Sequence, residues 1–395
     1  MNLRVKEVSV FLRRVRTRIP FRYGKAVVTG LPYAHLRVRF EPEVVGVSAQ
    51  ALPPLWFDKT AGRSHEDDIR DLLRSISIAS EVYRAASPGT VHALHQACEP
   101  EARRRGAVEK MNGLTAGFGV ALLDLAAIDG ACRLSGRTFH QGLRDGLFGL
   151  TIPGLPDRPL DRIAVRHTVG MADPITAADV AAPLGDGLPE TLEEVVAMTG
   201  ARWFKVKVSG DAEASLDRLR RIAAAVDRGG REYQVTLDGN EQFHGTDEVA
   251  AFVRRIEAEP ALANFWRRTV WIEQPVERGA ALSQGTTGAL RSIPRPVILD
   301  ESDGSDDVVD QGLALGYGGI SAKNCKGPFR TLHSFGRVRE KGAVLSSEDL
   351  MNTPVVALNQ DLCVAAALGI PHSERNGHHY VRTFEYFSPR ERDAA

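Results

Sequence analysis

The sequence predicts an α/β fold, a (β/α)7-8 TIM-like barrel preceded by an α+β domain, and three observations carry the prediction. After Arg162, short β-rich runs alternate with helical patterns. The first 150 residues have a different texture, strand-like and then helical. A Pro- and Gly-rich segment, TIPGLPDRPLD, lies between the two and reads as a linker. At 395 residues and 43% hydrophobic content the chain can bury two cores.

In the first region VKEVSVFLRRV, YAHLRVRF and VVGVSAQAL alternate as antiparallel strands do, and Pro20, Gly24, Gly30 and Pro32 are expected to break the chain between the first two. DDIRDLLRSI and GVALLDLAAIDGACRLSG then repeat apolar residues every three or four positions and predict helices. In the second region IAVRHTV, WFKVKV, YQVTLD, VWIE, PVILD, GISAK and AVLSS read as strands, with helices between them. Thr191 and Glu194 form a capping box that opens a helix which Gly200 closes. Leu216, Leu219, Ile222, Ala223 and Val226 make one apolar stripe on the next helix. Such alternation implies right-handed βαβ units and a parallel sheet. The division is 1–150 for the α+β domain, 151–375 for the barrel and 376–395 for a C-terminal segment returning to the first domain.

Lysine plus arginine and aspartate plus glutamate both number 50, so net charge favours neither nucleic acid nor an anionic membrane as partner. The arginine-studded start lacks a signal-peptide core and no window has the apolar length of a membrane span, so a cytoplasmic protein is the expectation. Cys98, Cys132, Cys325 and Cys363 are scattered without a CxxC pair and read as core residues or free thiols. LGYGGIS lacks phosphate-loop spacing and reads as a tight turn, and NGHHY reads as a solvated loop.

Charged residues fall at the carboxyl ends of successive runs: Lys205 and Lys207 in WFKVKV, Asp238 in YQVTLD, Glu273 in VWIE, Asp300 in PVILD and Lys323 in GISAK. Any one of these would suit a solvated strand face or a helix cap. Five in succession point to a barrel rim, where the strand ends of a parallel barrel converge. Three carboxylates packed together repel one another unless a cation lies between them, and an all-oxygen set suits Mg²⁺. A neutral lysine can act as a base, and either of Lys205 and Lys207 would depress the pKa of the other. Lys323, across the barrel, would face them from the far side of a substrate. That arrangement serves removal of a proton α to a carboxylate, with a divalent cation stabilising the charge that develops.

FKVKVSGD, LDGNEQF, WIEQP, ILDES and SAKNCKG together resemble the strand-end motifs of the enolase superfamily, in its mandelate racemase–muconate lactonizing enzyme family and on the muconate-lactonizing side. GVALLDLAAIDGACRLSGRTFHQGL is similar to the helix leading from that family's capping domain into its barrel. The resemblance implies that Asp238, Glu273 and Asp300 bind Mg²⁺ and that Lys207 and Lys323 are an acid/base pair. Lys205 would tune Lys207 or touch the substrate carboxylate, with Asn240 behind the metal ligands. By strand alternation Glu301 points away from Asp300. The Asp–His dyad of mandelate-racemase-like members and the D-x-D of dipeptide epimerases are not evident. Glu348 and His372, with Ser347 and Glu374, fall where the last strands end and are candidate substrate contacts. Lid loops are expected at about 17–33 and 52–60, with Arg22, Tyr23 and Lys25 facing the substrate.

The resulting expectation is a Mg²⁺-dependent isomerase acting on a small carboxylate, a racemase, epimerase or cycloisomerase, with no nucleic-acid or membrane partner. The resemblance also implies a homo-oligomer. Sugar-acid dehydration is the alternative reaction, and a non-catalytic carboxylate-binding barrel the alternative from another class.

Overall fold

The computed structural model describes residues 1–24 and 26–394. Three antiparallel strands, β1 (Arg4–Tyr23), β2 (Ala26–Glu41) and β3 (Val44–Ala51), pair in chain order, and three helices follow, α1 (His65–Ala85), α2 (Val91–Val108) and α3 (Gly113–Ser135). Only Gly24 of the four expected breakers lies at the turn between the first two strands. Pro20 sits inside a register shift between Arg16 and Phe21, where a missing N–H costs no ladder bond. Gly30 and Pro32 remain in strand β2.

Helix α3 is long and apolar enough to cross a membrane by length and composition, but 94% of that stretch is buried inside the protein. Its buried faces are small on the sheet side, which lets β3 approach closely. A Cβ on Gly46 would lie 1.9 Å from the Ala126 carbonyl oxygen. Asn112 opens α3 by accepting from the Thr115 N–H, and Gly136, in the left-handed conformation (φ 66°), ends it.

Eight parallel strands form a closed barrel: β4 (Ala164–Val169), β5 (Trp203–Lys207), β6 (Gln234–Asp238), β7 (Thr269–Glu273), β8 (Val297–Leu299), β9 (Gly319–Lys323), β10 (Val344–Glu348) and β11 (His372–Arg375). Between the strands the expected helical signals hold. Thr191 and Glu194 cap the helix Leu192–Thr199 reciprocally and Gly200 (φ 66°) closes it. Leu216, Leu219, Ile222, Ala223 and Val226 are all buried along Ala212–Arg228.

Outward-facing strand residues such as Phe204, Val206, Val235 and Leu237 pack on these helices, and the alternate residues fill the barrel. NGHHY is not a solvated loop: His379 and Tyr380 are buried in a short helix, Gly377–Tyr380, against β1 and β4. Its charged and amide neighbours made the segment look exposed, whereas it covers the barrel wall beside the first strand. Beyond it, the Tyr386 hydroxyl accepts from the Arg16 N–H (2.8 Å) and Glu391 pairs with Arg13, so the C-terminal segment lies along β1.

Gly46→Ala is expected to cost ~3 kcal/mol, because two backbone segments would have to separate to admit one methyl group. A thermal melt of the purified variant checks it, with a Tm depressed by several degrees; an unchanged Tm would mean that the sheet and α3 separate freely.

Candidate active site

The strand ends bring seven charges to one level of the barrel. Lys207 on β5 is in register with Asp238 on β6, and Asp238 with Glu273 on β7. On the other side Lys323 on β9 is in register with Glu348 on β10, and Glu348 with Glu374 on β11. Asp300 follows the end of β8 and closes the ring. Strands β5 and β9 are four places apart in either direction around the barrel, so Lys207 and Lys323 stand on opposite walls.

Lys205 lies one inward position below Lys207 and is fully buried. Its ammonium meets Asp238 at 2.9 Å, Glu273 at 2.9 Å, Glu348 at 2.7 Å and Glu374 at 2.8 Å. Burial alone would lower its pKa, but these four carboxylates reverse the effect and hold the ammonium well above the usual lysine range. The expected depression of a lysine pKa by its neighbour therefore does not hold for Lys205. In place of a lone second ammonium the structure supplies an excess of carboxylates. Lys323 behaves the same way: burial is outweighed by Asp300 (2.9 Å) and by Glu348. Lys207 donates to Asp238 Oδ2 at 2.6 Å.

The carboxylates are unequal. Burial would raise Asp238, and Lys205 and Lys207 hold it far below its ordinary value. Glu273 is pushed well up by burial and by the neighbouring Glu348 charge, and its Oε2 is buried without a hydrogen-bond partner among the described residues. Oxygens of Glu273, Asp300 and Glu348 lie within 4.8 Å of one another. A crowded, all-oxygen set with an orphaned buried oxygen fits a small hard divalent cation. Two of its members belong to the expected set Asp238, Glu273 and Asp300. Asp238 turns to the lysines here, and Glu348 takes the third place.

Other expected residues fall out differently. Asn240 donates its N–H to Asp238 Oδ1 (2.8 Å) and its side-chain amide to Glu301 Oε1 (3.1 Å), behind the carboxylate ring. Tyr23 lines the small cavity above the lysines, about 30 Å³, and donates its hydroxyl to the Pro54 carbonyl. Lys25 lies outside the described residues. His372 is not at the rim. It shares the inward parity of Glu374 but sits a step deeper, stacked 4.0 Å from the Trp203 ring and 5.3 Å from Trp271 on the barrel floor, where burial lowers its pKa to about 3. Ser347 points outward and donates to Ser373 Oγ.

Arg166, Lys326 and Gln274 belong to the site in addition to the residues expected from the sequence. Arg166, wholly buried on β4, pairs with Glu348 Oε1 at 2.7 Å; its parity with Thr168 was the available signal. Lys326, one helical turn past Lys323, holds Asp300 Oδ1 at 3.0 Å and the Ser321 carbonyl at 2.7 Å. Gln274, next to Glu273, accepts from the Asp300 N–H at 2.7 Å and so ties two carboxylate-bearing rims together.

The enolase C-terminal domain-like family matches residues 187–376, the part of the chain that contains this ring. The match spans just under half of the chain and takes in strands β5 to β11. Among solved structures it is similar to a dipeptide epimerase from Enterococcus faecalis V583 complexed with Mg and L-Leu-L-Tyr, at 16% identity and TM-score 0.70 over 98% of this chain and 93% of that one. It is likewise similar to an N-succinyl Arg/Lys racemase from Bacillus cereus ATCC 14579, at 17% and 0.70 over 97% and 89%. An enolase from Bradyrhizobium complexed with magnesium and mandelic acid aligns at 16% and 0.67 over 95% and 88%. No curated protein sequence matches the chain.

Phe21, Tyr23, Pro53 and Trp56 from the cap cover the ring, and Trp56 places its ring 5.4 Å from the Lys323 ammonium. Charges latch this cover down. Lys59 reaches Glu301 Oε1 (3.1 Å) and Glu241, while Arg278 on the barrel grips Glu241 and donates to the Trp56 and Phe57 carbonyls at 2.8 and 2.9 Å. Charged hydrogen bonds of this kind contribute ~1.5–3 kcal/mol each. Arg278→Ala is therefore expected to speed amide hydrogen exchange across residues 52–60 by about tenfold or more while leaving the barrel strands protected. Exchange mass spectrometry reads this directly, and equal protection in the two proteins would show that the cover is held by apolar packing alone.

Proposed function

We propose that this protein removes a proton from the carbon α to a carboxylate and returns one to it, as a racemase, epimerase or cycloisomerase. One observation carries the reading: two lysines, Lys207 and Lys323, end diametrically opposed strands with a single covered cavity between them. A carbon held there has an ammonium or amine on each face, which is what inversion at one carbon requires.

Each residue has a task in this reading. Lys207 and Lys323 carry protons to and from opposite faces of the α-carbon. Lys205, fixed by four carboxylates, keeps Asp238 and Glu273 at their positions and presents positive charge below the substrate carboxylate. Glu273 and Asp300, with Asp238 as the resemblance implies, would hold Mg²⁺; Glu348 is within the same reach. Bound Mg²⁺ would supply the charge that makes an α-proton next to a carboxylate removable. Asn240, Gln274 and Lys326 hold the ligand carboxylates in place, and the Trp56 cover excludes water.

Phe21, Pro53, Trp56, Leu350 and Met351 make an apolar wall of the cavity, beside the polar Tyr23, Asp349 and Asn376. Such a wall supports an acid with an apolar substituent better than the hydroxyl-rich chain of a sugar acid, so isomerisation is favoured over dehydration. The inward residues of the last strand are His372 and Glu374, with Asn376 just beyond its end, and Glu374 is already bound to Lys205 and Thr168. No free carboxylate pair at that position awaits the α-ammonium of a dipeptide.

The test is incubation with Mg²⁺ and a set of 2-substituted acids in D₂O, read by NMR. Deuterium is expected at the α-carbon without loss of water, and Lys207→Ala and Lys323→Ala should each cut turnover by at least about 100-fold with Mg²⁺ affinity largely kept. Loss of water would mean dehydration, and no exchange with any acid would sink the enzymatic reading. Asp300→Asn is expected to weaken Mg²⁺ binding at least about tenfold by calorimetry, because one anionic ligand is lost; unchanged affinity would place the ion elsewhere.

A further inference from the structure

Glu348 occupies a place that the generic chemistry does not use. Its two oxygens are divided: Oε1 receives Arg166 at 2.7 Å, with Ser346 Oγ at 3.2 Å, while Oε2 is shared by Lys205 at 2.7 Å and Lys323. Through one carboxylate, then, the lysine of the β5 wall and the lysine of the β9 wall are joined across the barrel. Arg166 anchors the far end. It is wholly unexposed, stacked 5.1 Å from the Trp271 ring, and its Nε and Nη1 have no hydrogen-bond partner among the described residues.

A buried ion pair with unsatisfied donors is a poor way to stabilise a barrel, since an apolar pair of similar volume would do as well or better. What the pair does provide is direction. With Oε1 pinned from below, Oε2 can point only upward, between the two lysines. Glu348 also comes within metal-ligand reach of Glu273 and Asp300, but every one of its lone-pair directions is already taken by Arg166, Ser346 or a lysine. Reaching an ion through Oε2 would displace Lys205 or Lys323 from it.

Resting on the proposed lysine chemistry, we infer that Glu348, braced by Arg166, is a positioning residue for Lys323: it sets where the β9 lysine stands relative to the substrate carbon and serves one face of that carbon more than the other. Asp300 holds Lys323 from one side and Glu348 from the other, so loss of Glu348 leaves the ammonium with Asp300 as its one close carboxylate, beside longer contacts to Ser321 Oγ (3.4 Å) and Glu273 (3.8 Å). Among the described residues Lys207 pairs with Asp238 and has no ion pair with Glu348. The effect of losing Glu348 is therefore one-sided.

The experiment uses E348Q, nearly isosteric but uncharged, and R166M, which removes the brace without touching either lysine. Each enantiomer of an acid that the wild type exchanges is followed in D₂O, and the face that Lys323 serves is the one whose exchange Lys323→Ala abolishes. In E348Q, exchange on that face is expected to fall about 100-fold and on the Lys207 face less than about tenfold, with the same asymmetry, smaller, in R166M. Mg²⁺ affinity by calorimetry should stay within about threefold. Equal losses on both faces would reduce Glu348 to a structural role, and a drop in Mg²⁺ affinity beyond about tenfold would make it a ligand; either result overturns the inference. A second reading needs no substrate. Buried, ion-paired lysine ammonium groups exchange slowly enough to give ¹⁵Nζ signals, and those of Lys205 and Lys323 should shift in E348Q while that of Lys326 stays. If wild-type protein exchanges no acid, the proposed function fails while these signals still decide the inference, and unmoved Lys205 and Lys323 signals reject it.

Discussion

Lys205 is the point on which the site depends. One ammonium, out of reach of water, is shared by carboxylates from β6, β7, β10 and β11. Each of those acids would be expensive to bury alone, and Glu273, with one oxygen unpaired, still is. Remove the ammonium and four strand ends carry mutually repelling charge into a closed barrel. The ring is therefore an arrangement that the fold tolerates because each run of carboxylates is flanked by a lysine and shares the central Lys205 ammonium.

The interior below the ring is filled differently. Trp203, Trp271 and His372 stack across the floor, with the Arg166 guanidinium against Trp271. Aromatic faces supply bulk and a negative quadrupole where a cation must be kept without a full set of hydrogen bonds. This floor explains why a rim of seven charges does not collapse inward. The carboxylates rest on Lys205, and Glu348 rests on an arginine that the tryptophans hold.

The barrel and the ring were legible in the sequence because both obey simple periodicities. Charges at the ends of successive apolar runs must converge if the strands are parallel, and inward parity follows from counting by two. Counting by two does not give depth, however. His372 and Glu374 have the same parity, yet a step of two residues along a strand separates a floor residue stacked on tryptophan from one that binds Lys205. Nor does it give partners: that Asp238 turns to two lysines while Glu348 joins Glu273 and Asp300 depends on rotamers set by the whole ring. The first-domain strands were legible as strands, but their prolines and glycines looked like interruptions. A bulge absorbed Pro20 and a ladder position tolerated Pro32, effects that belong to pairing rather than to local propensity.

The dipeptide Asp300–Glu301 shows how the two domains act on one site. Alternation sends the carboxylates in opposite directions: Asp300 inward to Lys323 and Lys326, Glu301 outward to Lys59 of the cover and to the Asn240 amide. Asn240 in turn donates to Asp238. The cover is thus linked through Glu301 to the adjacent Asp300, and through Glu301 and Asn240 to Asp238, and burial together with the Asp300 charge pushes the Glu301 carboxyl up although Lys59 draws it back down. Opening the cover removes that cation from a buried acid beside the ring as well as admitting water. Access and electrostatics are then set by the same contact, so a residue as far from the reacting carbon as Lys59 can govern how the ring is held.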